Sequence, residues 1–133
     1  MNCWLATNQK PLIVAHRGSS WAAPENTVAA FTQAINDRAD AVELDVQLTR
    51  DGEIVVFHDR RLERTTNGKG FLREHLLKDL RRLSAGAWFS SRFSSEKIPT
   101  LKEVFELMKG TIGINIEIKV DRHSRSSLSL IHI

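Results

Sequence analysis

The sequence has a single cysteine, Cys3, so no disulfide can form within the chain, and a reducing compartment suits it. Long hydrophobic runs are also missing, since no window approaches the ~18 apolar residues that a membrane-spanning helix needs. The apolar stretch at residues 12–15 is too short for the hydrophobic part of a secretory signal. We therefore expect no membrane span and a cytoplasmic location.

A strong excess of one charge is lacking as well. Lysine and arginine number 19 against 16 aspartates and glutamates, which gives a formal net charge of +3. No basic run is interleaved with aromatic residues, so we expect no nucleic-acid partner. The small positive charge is compatible with an anionic substrate but does not identify one. With 41% hydrophobic and 26% charged residues, the composition is that of a folded globular protein.

Residues 41–48 alternate between apolar and polar side chains, which predicts a β-strand. Its polar face carries Glu43, Asp45 and Gln47. Acids on an inward strand face cost free energy unless something compensates them, whereas a surface strand would show the same pattern without a function. This segment alone does not decide between the two interpretations.

Residues 112–120 repeat this design. Four apolar residues at even positions share one face, and Asn115, Glu117 and Lys119 share the other. A plain surface ion pair between Glu117 and Lys119 is the simple alternative. Because the pattern occurs twice, we favour a shared polar site on the two strands.

Asp51 and Gly52 separate two apolar runs and predict a β-hairpin with a two-residue turn. Parallel strands need a much longer connection, so the second run should fold back antiparallel on the first. Pairing outward from this turn places Asp45 opposite His58, and opposite residues share a face. The hairpin is therefore expected to bring His58 to the acids.

Two helix starts are also indicated. Pro24, whose fixed φ suits the first turn of a helix, is expected to open a helix that runs to about Asn36. Thr100 and Glu103 have the spacing of a capping box, which predicts a second helix from that point. A short helix is further expected at residues 75–83.

In α/β barrels the active groups gather at the C-terminal ends of the strands. Carboxylate oxygens are hard ligands that suit Mg²⁺ or Ca²⁺, and two histidines suit an acid–base pair. An arginine fork and a lysine charge suit phosphate oxygens. The residues expected to converge in this way are His16, Arg17, Glu43, Asp45, His58, Glu117 and Lys119.

The order of several short motifs carries a family resemblance. The motifs are HRG at 16–18, PENT at 24–27, ELDV at 43–46, DG at 51–52, HD at 58–59, RTTNG at 64–68, IPTL at 98–101 and NIEIK at 115–119. Each is weak alone, but the ordered set over residues 11–120 resembles the glycerophosphodiester phosphodiesterase family.

The resemblance implies a TIM (β/α)₈ barrel of the phosphatidylinositol-phospholipase-C-like type, with a small insertion after the second strand at about residues 49–105. It also implies hydrolysis of glycerophosphodiesters to sn-glycerol 3-phosphate and an alcohol with a divalent cation, Mg²⁺ or Ca²⁺. By similarity, the metal ligands are Glu43, Asp45 and Glu117, the acid–base pair is His16 and His58, and the phosphate contacts are Arg17 and Lys119. A related barrel phospholipase that cleaves lipid phosphodiesters is the enzymatic alternative.

The length departs from this family. The chain has 133 residues, about half of the ~250 that a complete barrel uses, and only about three of eight barrel strands are expected. Residues 121–133 lack the helical pattern that should follow a parallel strand. We interpret them as an atypical tail caused by truncation or a frame change. An incomplete barrel leaves open sheet edges, so an inactive, non-catalytic fragment is the alternative to an enzyme.

Overall fold

The computed structural model of the protein describes residues 10–120, so the predicted tail at 121–133 lies outside the described part. Its elements are β1 (Val14–His16), α1 (Val28–Asn36), β2 (Ala41–Leu48), β3 (Ile54–Val56), α2 (Leu77–Leu80), α3 (Leu101–Met108) and β4 (Gly113–Ile118). Two 3₁₀ turns, Leu72–Glu74 and Ser91–Phe93, lie in the segment between β3 and α3. Within residues 10–120 no helix is long and apolar enough to cross a membrane.

Strand β2 is the centre of the sheet. It pairs in parallel with β1 and β4 and antiparallel with β3. The Glu43 carbonyl accepts from the Arg17 N–H, and the Asp45 carbonyl accepts from the Phe57 N–H. Because alternate carbonyls of a strand point to the same side, β1 and β3 follow one another along one edge of β2, and β4 holds the other edge. This partial α/β sheet confirms the predicted incomplete barrel.

The two faces of the sheet contact different layers. The apolar face of β2, including Leu44, packs with Phe31 of α1 and Val104 of α3 in one buried cluster. Val55 and Phe57 point the other way and form a second cluster with side chains of the segment between β3 and α3. Complete burial of side chains of this size stabilises a fold by about 1.5–3 kcal/mol each. The polar side chains of β2 lie on this second face, since Gln47 pairs with Val55, and they remain available for the site.

Helix α1 begins later than Pro24 predicts. Its N-cap is Thr27, whose hydroxyl accepts from the Ala30 N–H and donates to the Pro24 carbonyl. Asn26 has φ +56°, a left-handed conformation that a right-handed helix cannot contain. The prediction that Pro24 opens the helix was therefore wrong, because the left-handed Asn26 separates Pro24 from the helix.

The hairpin between β2 and β3 has a three-residue loop rather than the predicted two-residue turn. Leu48 pairs with Ile54, and the Thr49 N–H donates to the Glu53 carbonyl at 2.9 Å. Gly52 takes the left-handed position, φ +82°, that such loops require. The Thr49 hydroxyl accepts from the Glu53 N–H at 3.0 Å, which stabilises the wider loop.

The longer loop shifts the register by one residue. Phe57, not His58, lies opposite Asp45, and its N–H donates to the Asp45 carbonyl at 2.9 Å. The predicted pairing of Asp45 with His58 was therefore wrong. His58 follows the end of β3, where the chain has left the strand.

Helix α3 starts as predicted. The Thr100 hydroxyl accepts from the Glu103 N–H, and the Glu103 carboxylate accepts from the Thr100 N–H, so the capping box is confirmed. The helix expected at residues 75–83 is reduced to the four residues of α2, because Leu76 has an extended backbone. The proposed limits of the insertion, 49–105, and of the domain, 11–120, stay predictions.

Candidate active site

Three carboxylates meet on the polar face of the sheet. Glu43 and Asp45 project from the same side of β2, and the register places Glu117 of β4 beside Asp45. One carboxylate oxygen from each residue lies within 4.8 Å of the others. Asp45 is fully buried, Glu43 is half-buried and Glu117 is exposed. Oxygen donors grouped in this way suit a hard divalent cation.

Asp45 is held by three side chains with positive or donor groups. Asn26 Nδ2 donates to Asp45 Oδ2 at 2.9 Å, and Arg17 Nε lies 3.4 Å from the same oxygen. Lys119 Nζ pairs with the other carboxylate oxygen, Asp45 Oδ1, at 3.0 Å. Asp45 Oδ1 is thus a buried anionic oxygen that a positive charge already faces, which fits the role of a cation ligand.

In the absence of a cation, the environment of Glu43 makes its ionised form less favourable than that of a solvent-exposed glutamate. Burial and then the charge of Asp45 raise the pKa of Glu43, although the Arg17 N–H donates to Glu43 Oε2 at 3.1 Å. His16 Nε2 lies 3.8 Å from the same oxygen. A divalent cation would oppose the repulsion between these acids and favour both ionised forms.

Lys119 contacts two of the three acids. Its ammonium pairs with Asp45 and with Glu117. Burial alone would lower the pKa of Lys119, but the hydrogen bonds to Glu117 and Asp45 outweigh it and raise the pKa. The lysine therefore neutralises part of the charge of the cluster.

The loop between β1 and α1 has a constrained backbone beside the site. Arg17 and Asn26 both have left-handed φ angles, +58° and +56°, which are uncommon outside glycine. The Asn26 N–H donates to the Arg17 carbonyl at 3.0 Å and closes the loop. Such backbone strain clusters at functional sites. The PENT motif was the only sequence signal for Asn26, and its contact with Asp45 was not predicted.

Hydrogen bonds through intervening charged side chains link His58 to Arg17. His58 Nδ1 lies 2.6 Å from Asp59 Oδ1, and Arg64 donates to both oxygens of Asp59, at 2.7 and 2.9 Å. Arg64 also donates to both oxygens of Glu25, at 3.0 and 2.7 Å. Glu25 Oε1 in turn accepts from Arg17 Nη1 at 3.0 Å. His58 and Arg17, the predicted phosphate contact, thus belong to one hydrogen-bonded set of side chains.

The charges of this set lower two pKa values. The Arg64 hydrogen bonds, opposed by burial and aided by His58, lower the pKa of Asp59 to about 2. Burial alone would raise the pKa of Glu25, but hydrogen bonds and charge from Arg64, with a smaller contribution from Arg17, outweigh it and lower the pKa. Both carboxylates are therefore ionised at neutral pH.

Gln47 fixes the segment that carries His58. Its Nε2 donates to the carbonyls of Phe57, His58 and Asp59, at 2.8, 3.1 and 2.8 Å. Gln47 lies on the polar face of β2 two positions after Asp45, which is the signal that could have identified it. The histidine is thus held near the polar face in spite of the shifted hairpin register.

Residues 16–129 match the Glycerophosphoryl diester phosphodiesterase family. The chain belongs to this family. Among curated relatives, a glycerophosphodiester phosphodiesterase from Caldanaerobacter subterraneus is 52% identical over 111 residues, which are 83% of this chain and 46% of that protein. The chain spans a little under half the length of such relatives.

Solved structures of the family share the fold. A glycerophosphodiester phosphodiesterase from Agrobacterium tumefaciens superposes with a TM-score of 0.81 at 42% identity, over 84% of this chain and 48% of that one. An Oleispira antarctica phosphodiesterase in complex with the product sn-glycerol-3-phosphate gives a TM-score of 0.83 at 42% identity, over 86% of this chain and 47% of that one. The described residues thus correspond to one part of a glycerophosphodiester phosphodiesterase barrel.

Proposed function

We propose that this chain supplies the metal site and the acid–base histidines of an enzyme that hydrolyses glycerophosphodiesters to sn-glycerol 3-phosphate and an alcohol. This proposal rests chiefly on the group of three carboxylates whose oxygens lie within 4.8 Å of one another, among which Asp45 is fully buried. The family match and the product bound to the Oleispira antarctica relative support this substrate class.

Glu43, Asp45 and Glu117 are the proposed ligands of Mg²⁺ or Ca²⁺. A bound divalent cation would neutralise the phosphodiester charge and polarise its phosphorus–oxygen bonds. The donor set contains carboxylates and no thiolate or imidazole, which favours these two metals over softer ones.

Arg17 and Lys119 are the proposed phosphate contacts. Arg17 already uses Nη1 on Glu25, which orients its planar fork beside Asp45. Lys119 shares its charge between Asp45 and Glu117, and turning toward a phosphate would exchange one anionic partner for another. Both cations would lower the repulsion that an incoming nucleophile meets.

His16 and His58 are the proposed acid–base pair. One imidazole takes the proton of the attacking hydroxyl, from water or from the glycerol moiety, and the other gives a proton to the leaving alkoxide. His16 adjoins Glu43, and His58 is held by Asp59. The assignment of acid and base to the two residues stays open.

A non-catalytic fragment is the second candidate, and the exposed strand edges favour it. Apolar side chains within or directly beside the outer strands β1 and β4 are exposed: Ile13 66%, Val14 42%, Ile118 41% and Val120 49%. Open edges of this kind invite association instead of a stable barrel. We propose that the 133-residue chain alone has no turnover and that the site becomes active inside a complete barrel.

The test uses the 133-residue chain and a hybrid in which residues 11–120 replace the matching segment of the Caldanaerobacter subterraneus relative. We expect the hybrid to hydrolyse glycerophosphocholine, to lose activity in chelator, and to be inactive on intact phosphatidylinositol or sphingomyelin. Glu43→Gln and Asp45→Asn should each lower turnover about a hundredfold or more, since both remove charge that binds the cation.

Glu106→Gln is the matched control, because Glu106 is an exposed acid on α3 outside the carboxylate group. Undiminished turnover in excess chelator, or in both site variants, would refute the proposed function. Cleavage of intact lipids instead would favour the phospholipase alternative. Metal-dependent turnover by the 133-residue chain itself would refute the fragment proposal.

A further inference from the structure

Arg64 lies outside the carboxylate group but binds two acids at once. Three of its nitrogens make four hydrogen bonds of 2.7–3.0 Å, two to Asp59 and two to Glu25. These partners are distant in sequence, since Glu25 precedes Arg64 by 39 residues. Only a planar guanidinium presents enough donors in a fixed geometry to bind two carboxylates in this way, whereas an ammonium acts as a point charge.

The contact between Asp59 and His58 determines where the imidazole proton sits. Asp59 is ionised at neutral pH, and an ionised carboxylate only accepts hydrogen bonds. The 2.6 Å contact therefore requires a proton on His58 Nδ1. In the neutral ring Nε2 then has the free lone pair, so Nε2 is the nitrogen that can exchange a proton with substrate.

Asp59 can impose this tautomer only while its own orientation is fixed. Arg64 donates to each of its oxygens, which sets the plane of the carboxylate that faces the ring. Arg64 also donates to Glu25, which accepts from Arg17, so the orientation of the Asp59 carboxylate is coupled to the loop that carries Arg17. Without Arg64, the contact with His58 alone would hold the Asp59 carboxylate among the described residues, and Glu25 would keep Arg17 as its remaining cation.

We propose that Arg64 is a positioning residue that holds His58 in the Nδ1–H tautomer through Asp59. This rests on the proposed role of His58 as an acid or base. A purely stabilising role explains the arrangement less well, because 45% of the Arg64 side chain is exposed, and ion pairs at exposed positions contribute little to the free energy of unfolding.

The experiment measures tautomer and kinetics in the same variants. Imidazole ¹⁵N shifts and long-range couplings give the tautomer of His58, with the signal assigned by its loss in His58→Asn. The variants are Arg64→Gln, which removes the guanidinium, and Arg64→Lys, which keeps the charge without the fork. Arg81→Gln is the matched control, since Arg81 also makes a two-fold pair with a carboxylate, that of Glu103. All are prepared in the 133-residue chain and in the hybrid.

We expect the unsubstituted protein and Arg81→Gln to show the Nδ1–H tautomer, and Arg64→Gln to populate both tautomers. In the hybrid, Arg64→Gln should lower kcat about ten- to hundredfold, as loss of an orienting partner does elsewhere, with KM changed by less than about threefold. Arg64→Lys should give a kcat and a tautomer ratio between those of the unsubstituted protein and of Arg64→Gln.

An unchanged tautomer in both Arg64 variants would overturn the proposal, as would an Nε2–H tautomer in the unsubstituted protein. The tautomer readout needs no turnover. If the hybrid fails to hydrolyse any glycerophosphodiester, the proposed function fails while the spectra still decide the role of Arg64.

Discussion

Substitution of Gly18 by alanine tests how the loop between β1 and α1 supports the site. Gly18 has φ +80°, and a Cβ atom there would lie 2.7 Å from the carbonyl carbon and the Cβ of Ala30 and 2.8 Å from its oxygen. Ordinary contacts between carbon atoms are about 3.5–4.0 Å. The neighbours are the backbone and a buried side chain of α1, so rotation of a flexible side chain cannot relieve the overlap.

The cost has two parts. A left-handed conformation costs an alanine about 1–2 kcal/mol, and overpacking against fixed atoms costs about 1–3 kcal/mol. We expect Gly18→Ala to lower the free energy of unfolding by about 2–5 kcal/mol. Relief of the overlap needs a shift of about 0.8 Å, and Gly18 directly follows Arg17. Because a misplacement of about 1 Å can cost about a hundredfold in rate, kcat of the hybrid should fall tenfold or more.

Gly52→Ala separates the conformational cost from the cost of overpacking. Gly52 has almost the same φ, +82°, but a Cβ atom there would meet nothing within 4 Å. Only the conformational cost of about 1–2 kcal/mol should appear, with kcat unchanged. Urea unfolding and steady-state kinetics of the hybrid measure both quantities. Equal destabilisation by the two substitutions would refute the packing argument.

Three further outcomes are expected. Gln47→Glu should lower the free energy of unfolding and kcat more than Gln47→Met does, because a carboxylate would face three carbonyl oxygens. Unfolding and turnover measurements test this, and a Gln47→Glu variant with unchanged stability and kcat would contradict it. Asp59 has its pKa lowered to about 2, so its ionised form stabilises the fold above about pH 4 and this contribution is lost as pH falls through about 2. The stability gap between the unsubstituted protein and Asp59→Asn should therefore close on acidification, and a constant gap would argue against the pairing. Thr100→Ala should cost about 1 kcal/mol in unfolding free energy through loss of the helix cap, and no change would show that the cap is not stabilising.

The repeating side-chain pattern was sufficient to predict much of the sheet and part of the site. Alternation in β2 and β4 placed Glu43, Asp45, Glu117 and Lys119 on one face, and the register brings them together. The capping box of α3 was readable because both of its partners lie within one helical turn. Periodicity and local capping act over a few residues, so they appear directly in the sequence.

Features that depend on competition or on distant partners were not predictable in this way. The hairpin register depends on the Thr49 side chain, which favours a three-residue loop over the two-residue turn suggested by Asp51 and Gly52. The start of α1 depends on a left-handed Asn26. The contacts of Arg64 with Glu25 depend on how the segment after β3 folds back over the loop after β1.

Strand β2 has different surroundings on each side, acids and Gln47 toward the site and apolar residues toward α1 and α3. Loss or gain of a single codon within it would turn valine and leucine toward the polar face and bury carboxylates among the helices. This strand should therefore tolerate exchanges of similar residues over evolution but no change in length. The segment between β3 and α3 has its own apolar cluster and no such alternation, so length variation among relatives should concentrate there.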